Sequence, residues 1–270
     1  MGYADLHIHT TFSDGSLTPE AVVARAVQNG VTMLAVCDHN VTGGSLAVEP
    51  LARAAGLRFV RGVEIDALYA GRDVHMLAYG ADFDDAALTA LLRHERWALD
   101  HMSEVLLERM KPDYPALDFD DYLAFPHDPA AGGWKMLQYL MARGVTSAPH
   151  DGRLFYPRYG VTYEDAGFES IGEVARIVHA AGGALILAHP GEVFGRVADD
   201  AFMTLVEEAV HAGADGIECF YPTHPKEMTE RLLAFARGHG LKITAGCDCH
   251  GVFGDTDIGQ TQTDEGLIVL

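Results

Sequence analysis

Positive charge is scarce in this 270-residue chain: 19 Lys and Arg stand against 39 Asp and Glu, for a formal charge of −20. A field of that sign repels polyanions and argues against a long nucleic-acid track. A small phosphorylated substrate remains compatible, because a few bound divalent cations reverse the sign locally. Cysteine is scarce too. The four cysteines, Cys37, Cys219, Cys247 and Cys249, lie in or at the ends of apolar runs with no CxxC pair among them. That predicts buried, reduced thiols and a cytoplasmic protein. Cys247 and Cys249 would face one way, but packing is favoured over metal ligation. No segment approaches the ~18 consecutive apolar residues of a membrane-spanning helix, and Asp5 and His7 arrive too early for a signal peptide. Repeats and low-complexity tracts are missing as well. Gly43-Gly44 and Gly132-Gly133 match neither a P-loop nor a GxGxxG pattern and read as turn glycines. The sequence carries no indication of oligomeric state.

What is present is a large apolar fraction, 49% hydrophobic residues, arranged in alternating strand and helix signals. Strands are expected at Tyr3–His7, Thr32–Cys37, Arg58–Val63, Val74–Tyr79, Ala184–Ala188, Gly216–Phe220 and Lys242–Ala245. Between them Thr18-Pro19-Glu20 opens a helix, with Thr as cap and Pro at the first position. Further helical sequence runs over Ser45–Ala55, Ile171–Ala181, Asp200–Ala212 and Lys226–His239. This rhythm implies parallel strands with helices outside, an α/β class. It breaks between about Phe83 and Gly167, where a long amphipathic helix (Leu88–Met110), a proline-rich stretch and a shorter helix (Trp134–Ala142) read as a helical insertion.

Nearly every strand delivers a metal-type side chain at or near its end: His7 and His9, Asp38-His39, Glu64, His75, His189, then Asp248 and His250, with Asp14 in the first loop. Residues i and i+2 of a strand point to one side, so His7/His9 and Asp248/His250 each aim two donors into one space. A single His in a turn is ordinary, whereas this set is large enough for a multinuclear site. In α/β barrels the loops at the carboxyl-terminal strand ends converge on a shared site.

The segment from Asp5 to Gly44, with Gly62-Val63-Glu64, His75, Ala188-His189-Pro190 and Asp248-Cys249-His250, resembles the PHP (polymerase and histidinol phosphatase) family of phosphoesterases. The resemblance covers residues 1–82 and 168–270, leaving 83–167 as an insertion. It implies a distorted (β/α)7 barrel, with that insertion forming a small cap that contributes to the substrate pocket. It also implies two or three divalent metals. On that mapping His7, His9, Glu64 and Asp248 hold one metal; Glu64, His75 and His189 hold a second, with Glu64 bridging; Asp14, His39 and His250 hold the third. Some family members have His where this chain has Asp14, and the carboxylate bears on whether the third site fills. The donors are all N and O, which suits Mn²⁺, Zn²⁺ or Fe²⁺ and leaves the choice among them open, with Mn²⁺ the expected metal. Paired cations lower the pKa of a shared water and clamp phosphate oxygens for in-line attack. Glu64, Asp248 and His250 are expected to stand closest to that chemistry.

Phosphate also needs donors of its own. Arg158, Arg196 and His224 are the candidates, with Lys135 and Lys226 weaker. The remaining histidines, His94, His101, His127, His150, His179, His211 and His239, are assigned to solvated faces. The expected activity is hydrolysis of small phosphorylated metabolites, either a nucleotide-type monoester or a small cyclic phosphate diester. Two alternatives stand beside it. A C–N hydrolase of the amidohydrolase type also begins with HxH, but usually ends on a lone Asp and often bridges its metals with Lys. A non-catalytic PHP module would lack part of the ligand set.

Overall fold

Short runs with apolar side chains on both faces suit strands covered on both sides, and helices that bury one stripe supply the cover. The structure, a computed structural model, describes residues 2–195 and 197–270. Among these residues seven strands form one sheet in chain order: β1 (Tyr3–Asp5), β2 (Val31–Val36), β3 (Arg58–Tyr69), β4 (Arg72–Tyr79), β5 (Ala184–Leu187), β6 (Gly216–Phe220) and β7 (Lys242–Ala245). The helices are α1 (Pro19–Gln28), α2 (Gly43–Ala54), α3 (Ala86–Met110), α4 (Phe119–Ala124), α5 (Lys135–Ala142), α6 (Phe155–Arg158) and α7 (Tyr163–Ala166), followed by α8 (Ile171–Ala180), α9 (Pro190–Phe194), α10 (Asp199–His211) and α11 (Lys226–Gly238). The cap on α1 is as expected: the Thr18 hydroxyl accepts from Ala21 N at 3.3 Å.

The all-parallel expectation fails at one strand. β4 runs antiparallel to both β3 and β5, while the other pairings are parallel. The cause is local. Ala70 and Gly71 both adopt positive φ (49° and 71°), the backbone of a two-residue hairpin whose twist suits antiparallel strands. β3 therefore extends through Tyr69 instead of ending at Val63, and it returns directly as β4. β1 is shorter than expected, ending at Asp5, but the chain beyond it stays paired. Leu6 N donates to Ala245 O and Asp248 N to His7 O, both at 2.8 Å, and Ile8 pairs in parallel with Cys249. The first and last strands are thus neighbours at the end that carries His7 and Asp248.

Two principal apolar clusters follow from this layout. One joins β3–β7 to α8, α10 and α11 through Ile65, Met76, Val178, Leu187, Val206 and Leu232. The other lies within 98–168, where Leu106, Met110, Met136, Tyr139 and Leu140 are fully buried among α3, α5 and the turns after them. The cysteines are free and buried, as their apolar setting suggests.

Candidate metal centre

The strand exits place the side chains. After β1, His7 and His9 alternate to one side, and the loop behind them is tied down by Asp38. Its carboxylate accepts from Thr10 N (2.8 Å), Thr10 Oγ1 (2.7 Å) and Ser13 Oγ (2.6 Å). Asp38, which sits beside His39 in sequence, is therefore the brace of the His9–Asp14 loop. Three other loops place a residue in the left-handed region: Asn40 (φ 55°), His189 (φ 25°) and Asp248 (φ 51°). Such conformations cost about 1–3 kcal/mol each and persist where surrounding contacts over-determine them. Gly246 shows how tight the floor is: a Cβ there would come within 2.2 Å of His7 Cβ and 2.3 Å of Glu218 Oε1.

All nine expected donors converge, with Glu64 at the centre and fully buried. Its Oε2 lies 3.1 Å from His7 Nε2, 3.0 Å from His9 Nε2 and 3.4 Å from His39 Nε2. Its Oε1 lies 3.0 Å from His75 Nδ1 and 3.3 Å from His189 Nε2. Asp248 Oδ1 is 3.0 Å from His9 Nε2 and 3.4 Å from both His7 Nε2 and His250 Nδ1. Asp14 Oδ1 is 3.2 Å from His250 Nε2 and 3.5 Å from His9 Nδ1. His75 reaches this end because β4 is reversed: its position near the start of β4 lies where the parallel strands finish.

Among the described residues three donor groups result, each compact enough for one ion: His7/His9/Glu64/Asp248, His9/Asp14/His39/His250 and His39/Glu64/His75. The partition differs in part from the mapped one. His9 and His39 each serve two groups, and His189 approaches Glu64 without joining a compact group. The donor set fits cations on two counts. Glu64 Oε2 and Asp248 Oδ1 are buried with no hydrogen-bond partner, which is costly for a carboxylate oxygen unless something positive takes the lone pair. The His7 and His9 Nε2 atoms also face one another at 3.2 Å. Metal–ligand bonds of about 2.0–2.2 Å put neighbouring donors roughly 3.0–3.5 Å apart, the spacing observed.

The electrostatics carry the same demand for positive charge. Burial opposes ionisation of Glu64, but His7, His39 and His75 outweigh it and hold the carboxyl well below its usual range. Burial likewise opposes, and the neighbouring carboxylates overcome, in His7 and His39, whose pKa values stand well above that of free imidazole. His250 is pushed up to about 9 in the same way, with Asp14 its largest attractor. The same attraction for positive charge would favour a divalent cation, whose binding competes with protons on the imidazoles.

Several contributors are not identifiable from the strand-end pattern. Glu218, fully buried on β6, accepts from His189 N at 2.9 Å and lies 3.2 Å from His7 Nδ1, orienting that ring from behind. A lone Glu inside the apolar run Gly216–Phe220 was the available signal. Asp66 stands two residues beyond Glu64 on the same face of β3 and contacts His39 and His75. Tyr221 OH donates to Asp248 Oδ2 at 3.1 Å.

The expected phosphate donors are placed differently from the metal set. The Arg158 guanidinium is exposed and lies over the rings of Phe155 and Tyr159 (5.7 and 5.9 Å) in its own helix region. His224 is buried with both nitrogens on backbone groups: Gly191 N donates to Nε2 (3.1 Å), and Nδ1 faces Cys219 O (3.2 Å). Arg196 lies outside the described residues. Lys135 Nζ donates to Leu123 O, and Lys226 pairs with Glu230 within α11. Of the histidines assigned to solvent, His127 and His94 instead meet the backbone oxygens of Gly133 and Gly167 at 2.9 Å, and His150 stacks on Phe253.

Clustered N and O donors that could hold metal ions at the ends of α/β strands are the arrangement of one class, the metal-dependent hydrolases. Comparison with known proteins narrows it. The PHP domain family matches residues 5–185, and the chain belongs to that family. The chain is 33% identical to a phosphoribosyl 1,2-cyclic phosphate 1,2-diphosphodiesterase of Eggerthella lenta, over 93% of this chain and 95% of that one. It is 28% identical to a 5'-3' exoribonuclease of Haemophilus influenzae (95% and 93%). It is 29% identical to a 3',5'-nucleoside bisphosphate phosphatase of Chromobacterium violaceum (97% and 92%). Among solved structures, a metal-dependent phosphoesterase so described from Bifidobacterium adolescentis aligns with TM-score 0.79 and 28% identity, covering 98% of this chain and 94% of that one.

Proposed function

We propose that the protein is a metal-dependent phosphoesterase for small phosphorylated metabolites, a nucleotide-type monoester or a small cyclic phosphate diester. The observation that carries this reading is the shared Glu64, fully buried between histidines on both carboxylate oxygens, with Oε2 and Asp248 Oδ1 lacking any hydrogen-bond partner. Two or three cations held there, with Mn²⁺ the preferred metal and Zn²⁺ or Fe²⁺ compatible, would supply an activated water and a clamp for phosphate oxygens. The protein's own groups do the rest. Glu64 and Asp248 keep the donors in register, Glu218 holds the His7 ring, and His250, whose nitrogens meet Asp14 and Asp248, stands where a proton can be held or released. Arg196 is proposed to grip the phosphate; for Arg158 and His224 to do so, Arg158 would leave the rings of Phe155 and Tyr159 and His224 would give up its backbone partners at Gly191 and Cys219.

The architecture proposed with this reading is a distorted (β/α)7 barrel over 1–82 and 168–270, capped by 83–167. The pairing of Ile8 with Cys249 and the separate apolar cluster in 98–168 support it. A cytoplasmic location is proposed from the unpaired buried thiols, and among the described residues no helix is long and apolar enough to cross a membrane. The test is a panel of cyclic ribose phosphates, nucleoside bisphosphates and monophosphates, short and long RNA, and cyclic amides, assayed with Mn²⁺. Turnover is expected on small phosphate esters and abolished by chelator. Activity confined to long RNA or to amides would overturn the reading.

A further inference from the structure

Asp66 is a carboxylate that the metal chemistry does not use directly, yet it is 1% exposed and surrounded by donors. Strand geometry explains its position. Glu64 and Asp66 share one face of β3 by the two-residue period, and Asp66 stands directly opposite His75 in the β3–β4 ladder. Its Oδ1 accepts from Tyr163 OH at 2.6 Å and lies 3.3 Å from His75 Nε2. Its Oδ2 accepts from Asn40 Nδ2 at 2.5 Å and lies 3.2 Å from His39 Nδ1. An ionised carboxylate offers about four lone-pair directions, so four donors saturate it. Asp66 N in turn donates to Asn40 Oδ1 at 3.2 Å, which locks the pair together.

The two histidines are held in opposite senses. His39 turns Nδ1 to Asp66 and Nε2 to Glu64, whereas His75 turns Nε2 to Asp66 and Nδ1 to Glu64. A carboxylate only accepts, so the nitrogen facing Asp66 must carry hydrogen. We propose that Asp66 is a positioning residue that sets opposite tautomers on two metal-binding imidazoles, freeing Nε2 of His39 and Nδ1 of His75 for cations. Tyr163, delivered by the 83–167 segment and stacked on Phe168 at 4.0 Å, fixes Asp66 in turn. The segment thereby reaches the metal centre through Tyr163–Asp66. This inference rests on the reading of His39 and His75 as metal ligands.

The experiment uses Asp66→Asn, Tyr163→Phe and the parent protein, loaded with Zn²⁺. Chelator competition measures metal affinity, and ¹⁵N NMR of labelled histidine identifies which ring nitrogen carries the metal. In the parent, His39 is expected to be metallated at Nε2 and His75 at Nδ1. Asp66→Asn keeps the shape but turns an amide donor or a weaker acceptor toward the rings. It should weaken metal binding about 10–100-fold, the usual effect of removing an outer partner of a ligand, and scramble the nitrogen assignment. Tyr163→Phe leaves the carboxylate in place and should cost several-fold. Excess metal should restore most of kcat in both variants, which a merely structural lesion would not allow. Parental metal affinity and parental ¹⁵N assignments in a folded Asp66→Asn would overturn the proposal while leaving the metal-centre reading intact. A parent protein that holds no metal would overturn the metal-centre reading, and this proposal with it.

Discussion

Glu64 and Glu95 are both fully buried glutamates, one in the metal centre and one on α3 against the β3 side of the sheet, and their acidities move in opposite directions. Around Glu64, burial is overcome by three histidines and the carboxyl stays ionised. At Glu95, burial is the largest influence and pushes the pKa up to about 8; the Glu169 N–H, donating to Oε1 at 3.2 Å, offsets only part of it, and Oε2 has no partner. Burial alone therefore predicts nothing about the charge of a carboxylate. Its neighbours decide, and only the first of these two sites is built to concentrate positive charge.

The largest test of that contrast is Glu64→Gln, which keeps shape and removes the shared negative charge. Activity on the best phosphate ester is expected to fall by several orders of magnitude, with metal content reduced and the fold retained by circular dichroism. Near-parental turnover would sink the shared-ligand reading. In the metal-free protein the same change should lower stability at pH 7. A carboxyl held low in the folded state contributes stability above its unfolded pKa, near the usual ~4.5, and loses it as pH falls through the folded value. The gap between variant and parent should close in acid, as thermal melts would show.

Glu95→Gln should act with the opposite sign. The folded state binds the Glu95 proton more tightly than the unfolded one, so its contribution is complete below about pH 4.5 and is lost as pH rises toward about 8. Removing the ionisable group should stabilise the protein above pH 8, by an amount on the order of a few kcal/mol at about 1.4 kcal/mol per pKa unit. Little change is expected near pH 5. Equal effects at pH 5 and pH 9 in denaturant titrations would show that Glu95 is not held neutral.

Smaller effects concern substrate. Arg196→Ala is expected to lower kcat/KM about 10–150-fold, the loss of one charge-assisted hydrogen bond worth about 1.5–3 kcal/mol, with metal content unchanged. Arg158→Ala should cost less, since that guanidinium lies over its own helix's rings. Steady-state kinetics rank the two, and the reverse order would move the phosphate grip to the helical segment. Asp14→Ala is expected to lose one metal selectively by elemental analysis, because Asp14 joins only the His9/His39/His250 group.

The sequence by itself determined which candidate donors meet at the strand ends and most element positions. His7/His9, Glu64, His189 and Asp248/His250 are legible because a strand's two-residue period and its exit into a loop are local properties, set by a few consecutive residues. Tertiary structure decided how those donors are shared. The Ala70-Gly71 hairpin reversed β4 and brought His75 to the common end, although its apolar run reads the same in either direction. Asp66, Glu218 and Tyr163 came into play only through partners far away in sequence: an acidic side chain inside an apolar run states that it needs a partner without saying which one, and Tyr163 opens a short polar helix that gives no such signal. The placement of Glu64 and Glu95 has the same origin: each is a glutamate in an amphipathic or apolar stretch, and long-range packing put cationic rings around one and buried the other near the carboxylates of Asp66 and Glu169.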